Sequence, residues 1–207
     1  MRTVYVYVMD TMADWEVSYV MAELNSKRFF RSKDFDLEVK TVSYRKDPIH
    51  TMGGLSVLPD LTIDEVSVDK ENSLILPGSD KWNEPDTMMI LELAKKFHDE
   101  GALVAAICGA TVALANIGLL DERKHTSNGV GFLDMFCPKY KGTSLYVDAP
   151  AVRDGNLVTA AGTGGLMMAK LILEYLNVFN EDTLEHWYNY FSTGNANEFF
   201  AMMQSLN

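Results

Sequence analysis

A doubly wound α/β domain, with a mostly parallel sheet and helices on both faces, is the fold this 207-residue sequence predicts. Short apolar runs alternate with longer stretches of helical period, the pattern of strands joined by helical crossovers. Gly78-Ser79, Cys108 and Gly162 each directly follow one of those apolar runs. Such positions gather at the carboxyl end of a parallel sheet, where sheets of this kind bind ligands. The chain carries no internal repeat, low-complexity tract or linker, and its length suits one domain with a full core.

In order along the chain, Thr3–Val8 is a buried first strand, and a helix over Ala13–Ser26 places Val17, Val20, Met21 and Leu24 on one face. Leu37–Tyr44 alternates apolar and polar residues as a second strand. Ile49–Leu58, with Gly53-Gly54 in its middle, reads as a small hairpin, and Thr62–Val66 as a short helix. Ser73–Gly78 is a central strand ending in a loop, and an amphipathic helix follows over Asp86–Glu100. Leu103–Ile107 is a strand that breaks at Gly109 into a helix reaching about Gly118. Lys124–Asn128 and Leu145–Val147 read as short strands, with one or two helical turns over Val130–Phe136 between them. Val152–Ala160 is a hairpin whose Asp154-Gly155 pair signals a type I′ turn. A Gly-rich turn opens a helix over Gly162–Tyr175, and the tail from Glu181 to Leu206 is helical, with Asn180 or Thr183 as its cap. The architecture these elements build is flavodoxin-like, with a C-terminal helical extension.

Composition narrows the function. Apolar content of 47% and charged content of 23% are ordinary for a globular protein. A formal net charge of −11 and the lack of a basic stripe exclude a nucleic-acid partner. The uncharged stretch Gly101–Leu120 is long enough to span a membrane, but Gly109, Asn116 and Gly118 interrupt it, and it reads as strand, turn and buried helix. The first residues form a strand and not a signal peptide. Two cysteines, Cys108 and Cys137, stand far apart in no CxxC, which fits the reducing cytoplasm. No His, Asp or Glu set has metal spacing, no phosphate-binding glycine motif occurs, and no cofactor is expected.

Cys108 carries the chemistry. In Ala106-Ile107-Cys108-Gly109-Ala110, small residues flank a nucleophile at a strand-to-helix turn, the pattern of a nucleophile elbow. A thiol at a helix N-terminus also faces the positive end of the helix dipole, which favours thiolate. Acids open the first helix at Asp14 and Glu16, and one of them is expected to face Cys108 as base or hydrogen-bond donor. Backbone N–H groups of the Gly78-Ser79 turn and of Gly109-Ala110 are placed to form an oxyanion hole. Of the four histidines, His98 lies on a charged helix face, His186 in the tail, His50 in the hairpin, and only His125 is near Cys108 in topology.

These residues, with Leu76-Pro77-Gly78, Ala105–Gly109, Ile117-Gly118-Leu119-Leu120, Lys124–Asn128 and Leu157–Gly162, resemble the ThiJ/PfpI superfamily within the class I glutamine amidotransferase-like fold. The likeness implies a domain over residues 1–178, with residues 179–207 as its helical extension. It implies Cys108 as nucleophile, Glu16 as the carboxyl bonded to its sulfur, and the Ser79 and Gly109 amides as the oxyanion hole, with Asn128, His125 and Asp14 as further candidates. Two departures matter. Protease-like members carry a His directly after the nucleophile, where this chain has Gly109, and deglycase-like members carry one twenty residues after it, where it has Asn128. His125 falls three residues earlier, on the opposite face by strand alternation. The resemblance therefore implies a cysteine-dependent hydrolase or lyase for a small carbonyl or amide compound, without an intact protease triad. A redox or stress-response protein whose cysteine oxidises to sulfinate is the alternative, and a non-catalytic binding module a second. The aromatic tail (Trp187, Tyr188, Tyr190, Phe191, Phe199, Phe200) and the habit of the family point to a homodimer.

Overall fold

In the computed structural model, which describes residues 1–32 and 34–206, every residue of the strand Leu103–Ile107 is buried. Asn207, the last residue of the expected extension, lies outside the described residues. Burial on both faces explains the unbroken apolar run, and each fully buried Leu, Ile or Val there stabilises the fold by about 1.5–3 kcal/mol.

Nine strands are present among the described residues: β1 Arg2–Tyr7, β2 Leu37–Ser43, β3 Ile49–His50, β4 Ser56–Val57, β5 Leu61–Thr62, β6 Ser73–Leu76, β7 Leu103–Ile107, β8 Ala151–Asp154 and β9 Leu157–Ala160. The helices are α1 Asp14–Ser26, α2 Thr87–Asp99, α3 Gly109–Asn116, α4 Phe132–Phe136, α5 Gly165–Leu176, α6 Glu181–Thr193 and α7 Ala196–Gln204. Seven strands form one sheet in the order β5-β2-β1-β6-β7-β9-β8, parallel throughout except for the β8–β9 hairpin. The chain winds outward from β1 through α1 to β2, then returns past β1 to β6 and winds the other way through α2 to β7. Right-handed crossovers of opposite direction put α1 and α2 on opposite faces, so the sheet is doubly wound and its switch point falls between β1 and β6.

The small β3–β4 hairpin forms as predicted and folds over the loop after β1, where Thr11 N–H bonds His50 O at 2.8 Å and Met52 N–H bonds Met12 O at 2.9 Å. The helical tail is two helices, broken at Gly194, whose φ of 70° ends α6 in the left-handed region. Asn180 is its N-cap residue, but without a side-chain cap bond. Trp187 of α6 is fully buried and donates to Glu23 of α1 at 3.0 Å, which fastens the extension to the domain.

Three local expectations are corrected. Lys124–Asn128 and Leu145–Val147 are not strands; they touch through a single bridge, His125 with Tyr146, and Thr143–Leu145 is a turn of 3₁₀ helix. Side-chain bonds, described below, hold that region in place of a ladder. The β8–β9 turn has Gly155 and Asn156 at its centre, and of these only Gly155 has positive φ (61°), the type II′ pattern and not I′. His98 is not solvated: its side chain is 14% exposed, Nε2 is buried without a partner, and burial holds its pKa below the ordinary value.

Candidate active site

Cys108 sits between the last residue of β7 and the first of α3 with φ 57° and ψ −121°, a conformation costly for a residue with a side chain. Neighbouring elements hold it there. Its N–H bonds Ala160 O of β9 at 3.0 Å, and its carbonyl accepts from the Thr111 hydroxyl at 2.6 Å. The residue as a whole is half-buried.

Glu16, in the first turn of α1, is buried, with 1% of its surface exposed. One carboxyl oxygen accepts the Gly78 N–H at 2.6 Å, and the carboxyl lies beside the Cys108 side chain, both of them flanking Gly78 and Gly162. Two glycines make this approach feasible. A Cβ on Gly78 would stand 2.7 Å from Glu16 Oε2 and 2.8 Å from Cys108 Cβ. One on Gly162 would stand 3.2 Å from Cys108 Sγ and 3.4 Å from Glu16 Oε1. Bare backbone on both sides therefore lets carboxyl and thiol meet.

Burial pushes the Glu16 carboxyl above its ordinary pKa, against the pull of the Gly78 and Cys108 hydrogen bonds. Burial also pushes the Cys108 thiol up; the Asn128 amide draws it back, and the Glu16 charge raises it again. The helix N-terminus thus does not by itself yield the free thiolate that the sequence suggested. Two acids that close cannot both ionise readily, so ionisation of either one disfavours that of the other.

Asn128 completes the contacts to sulfur. Its Oδ1 accepts the Gly162 N–H at 2.8 Å, and its Nδ2 donates to Cys108 Sγ at 3.3 Å. The Gly162 N–H can only donate, so the amide is oriented with its NH₂ group on the sulfur. The backbones of Gly109 and Ser79 face each other closely: a Cβ on Gly109 would lie 3.0 Å from Ser79 O and 3.5 Å from Ser79 N. The Ser79 hydroxyl, bonded to Asp10 O at 2.8 Å and Thr11 Oγ1 at 2.9 Å, pins its turn to the loop after β1.

The structure thus brings together Cys108, Glu16, Asn128 and the backbones of Ser79 and Gly109. It does not bring Asp14 or His125 to the sulfur. Asp14 turns towards the hairpin, where the Thr51 hydroxyl and the Gly53 N–H, at 2.6 Å, hold its carboxyl below the ordinary range. His125 is fully buried between Arg123 O (2.6 Å from Nδ1) and the Tyr140 hydroxyl (2.5 Å from Nε2), and burial depresses its pKa. Among the described residues no group of His, Cys, Asp and Glu is arranged to hold a metal ion, and no helix is long and apolar enough to cross a membrane.

Sequence reasoning did not find the residues that hold Asn128. Tyr146 belongs to no motif or period, and although Ser127 lies in the Lys124–Asn128 segment, nothing there marks its hydroxyl as the partner of Thr111, 2.6 Å away. The only available signal was the position of Asn128, twenty residues after Cys108.

Comparison with known proteins follows the same lines. A model of the DJ-1/PfpI family matches residues 2–175. The chain is 45% identical over 206 residues to the uncharacterized protease YoaZ of Bacillus subtilis, covering 100% of this chain and 98% of the relative. It is 34% identical over 142 residues to the deglycase PfpI of Pyrococcus furiosus, covering 67% of this chain and 81% of the relative. It superposes with a TM-score of 0.96 on the crystal structure of a thiJ/pfpI family protein from Bacillus anthracis, at 46% identity over 99% of this chain and 97% of that one.

Proposed function

We propose a function from one premise: the chain belongs to the DJ-1/PfpI family. It is a cysteine-dependent hydrolase or lyase that acts on a small carbonyl or amide compound, with Cys108 at a nucleophile elbow and no protease triad. One observation carries the reading: the side chain of a partly exposed cysteine, Cys108, lies against a buried carboxyl, Glu16, and its sulfur accepts from the Asn128 amide. Relatives named as a protease and a deglycase support the hydrolytic class.

The steps follow from the contacts. Glu16, as carboxylate, takes the thiol proton while Cys108 Sγ attacks the carbonyl carbon. A C–S bond forms and the carbonyl π pair moves to oxygen, which the Ser79 and Gly109 N–H groups stabilise. Asn128, a donor only on the sulfur side, favours the anionic sulfur before attack. Glu16 then returns its proton to the leaving nitrogen of an amide, and water releases the acyl group. With an α-dicarbonyl the proton goes to the oxyanion to give a hemithioacetal; Glu16 then carries the C–H proton of that carbon to the neighbouring carbonyl carbon, and water cleaves the C–S bond of the resulting thioester, freeing a hydroxy acid and the Cys108 thiol. Neither route needs a histidine, a metal or a cofactor.

Turnover of a panel of small dicarbonyls and simple amides tests this. Cys108→Ser is expected to lower it by about a thousandfold or more, and undiminished turnover in that variant ends the reading. A second reading has its own support, because a carboxyl with a raised pKa stays protonated long enough to donate to a sulfinate oxygen. Mild peroxide and intact-mass measurement separate the two. A two-oxygen adduct on Cys108 in a protein without turnover favours the sensor. The reading also takes the chain to be a cytoplasmic homodimer, with exposed Phe199, Phe200 and Met203 of α7 as part of the contact. A monomer mass in light scattering would remove that element.

A further inference from the structure

Asn128 lies in an exposed, irregular loop, yet its amide must meet an atom on each side of the crevice. Something has to hold the loop. No strand ladder does, since the region makes only the single bridge between His125 and Tyr146. The hydroxyl of Tyr146 lies inside the loop, accepting the Gly129 N–H at 3.1 Å and the Ser127 N–H at 3.4 Å and donating to Ser127 O at 3.2 Å. The Thr126 hydroxyl lies farther off, 3.5 Å from the same oxygen, and reaches Ala149 O at 2.9 Å instead; a phenol has one proton to give and two lone pairs, and the three shorter bonds use them. The hydroxyl is thus committed on both sides of Asn128 and has no proton left for chemistry.

The Tyr146 ring is itself seated. It packs edge-on against the buried His125 ring, with centroids 5.9 Å apart. Thr126 N–H bonds the buried Thr159 hydroxyl of β9 at 2.8 Å, and the Thr126 hydroxyl donates to Ala149 O at 2.9 Å. The loop is therefore anchored before Ser127, and Tyr146 spans the next turn.

We propose that Tyr146 is a positioning residue, which sets the reactivity of Cys108 by holding residues 127–129 so that the Asn128 amide reaches the sulfur. It deepens the cysteine-dependent reading above, but its test needs no substrate. Removing the phenol oxygen leaves two loop N–H groups and one carbonyl without their partner, and the loop loosens. The sulfur then loses a directed donor, its anion is less favoured, and it reacts only at higher pH.

The experiment is alkylation of Cys108 by iodoacetamide across pH, followed by peptide mass so that the buried Cys137 is read separately. In Tyr146→Phe the ring and its packing on His125 remain. The expected result is a profile moved to higher pH, with alkylation near neutrality slower by about threefold to tenfold, the worth of one directed hydrogen bond. Asn128→Ala is expected to slow alkylation at least as much, and adding Tyr146→Phe to it to change nothing further. Tyr140→Phe removes a phenol from the other side of His125 and is expected to leave the profile in place. An unmoved profile in Tyr146→Phe, beside a moved one in Asn128→Ala, overturns the inference and leaves the site reading intact. So does a Tyr146→Phe effect that persists in full without Asn128. An unmoved profile in Asn128→Ala removes the Asn128 contact from the site, and this inference with it.

Discussion

The two walls of the crevice are built by different means. On one side Gly78, Ser79 and Cys108 stand at the ends of β6 and β7, fixed by a ladder of backbone bonds and a fully buried core. On the other side Asn128 stands in a segment between α3 and β8 that is nearly free of regular structure and is held by side chains: Thr159, Thr111 and Tyr146. A ladder fixes position through many equivalent bonds, so losing one is absorbed. A side-chain scaffold fixes position through a few unlike bonds, and each is separately removable. On the proposed reading the strand-end wall holds the atom that forms bonds, and the irregular wall holds an atom that tunes it.

That contrast can be broken by substitution, starting where the effect is largest. Glu16→Gln keeps an acceptor for the Gly78 N–H but cannot carry a proton, and turnover is expected to fall by about 10²–10⁴-fold. The same change should not weaken the fold at neutral pH. A carboxyl whose folded pKa is raised binds its proton more tightly in the folded state, so its stabilising contribution is greatest at low pH and declines as pH rises past the ordinary carboxylate value. Thermal denaturation of both proteins from acid to neutral pH checks this. The wild type should lose stability relative to Glu16→Gln as pH rises, and a variant that is instead weaker at neutral pH would show Glu16 to be mainly a structural residue.

A smaller effect belongs to the pH profile of turnover. With one proton shared, activity should rise as the pair loses its second proton, above the ordinary carboxylate range, and fall as the last proton leaves, above the ordinary thiol range. The acid limb should vanish in Glu16→Gln. The smallest effect falls on the irregular wall. Asn128→Ala should lower turnover by about tenfold, the loss of one charge-assisted hydrogen bond, with little change in melting temperature. If Asn128→Ala matches Glu16→Gln in severity, the two walls are not divided as described.

The same contrast decides what was legible in the sequence. Leu103–Ile107 announces a buried strand because burial on both faces forbids polar residues, and Gly109 announces the turn because a Cβ there would crowd Ser79 O at 3.0 Å. Glu16 could be named, although its neighbour Asp14 could not be set aside. Both suit a helix N-terminus, and only three dimensions show that Asp14 faces Gly53. The helical turns over Val130–Phe136 are present as α4, but Lys124–Asn128 and Leu145–Val147 misled because Thr126, Tyr146 and Val147 are residue types that suit strands. In fact Thr126 donates to Ala149 O and Tyr146 lends its hydroxyl to a loop, uses that depend on tertiary neighbours and leave no period in the sequence.

A proton that moves from sulfur to carboxyl within one bonded pair alters no net charge. The chain carries 29 acidic against 18 basic side chains, and creating a fresh anion in that field would be opposed by all of it. On the proposed reading activation is an internal tautomerisation: an anion on Glu16 passes to the sulfur and only changes address. The nucleophile should accordingly be indifferent to ionic strength, in a protein whose encounters with charged molecules are not.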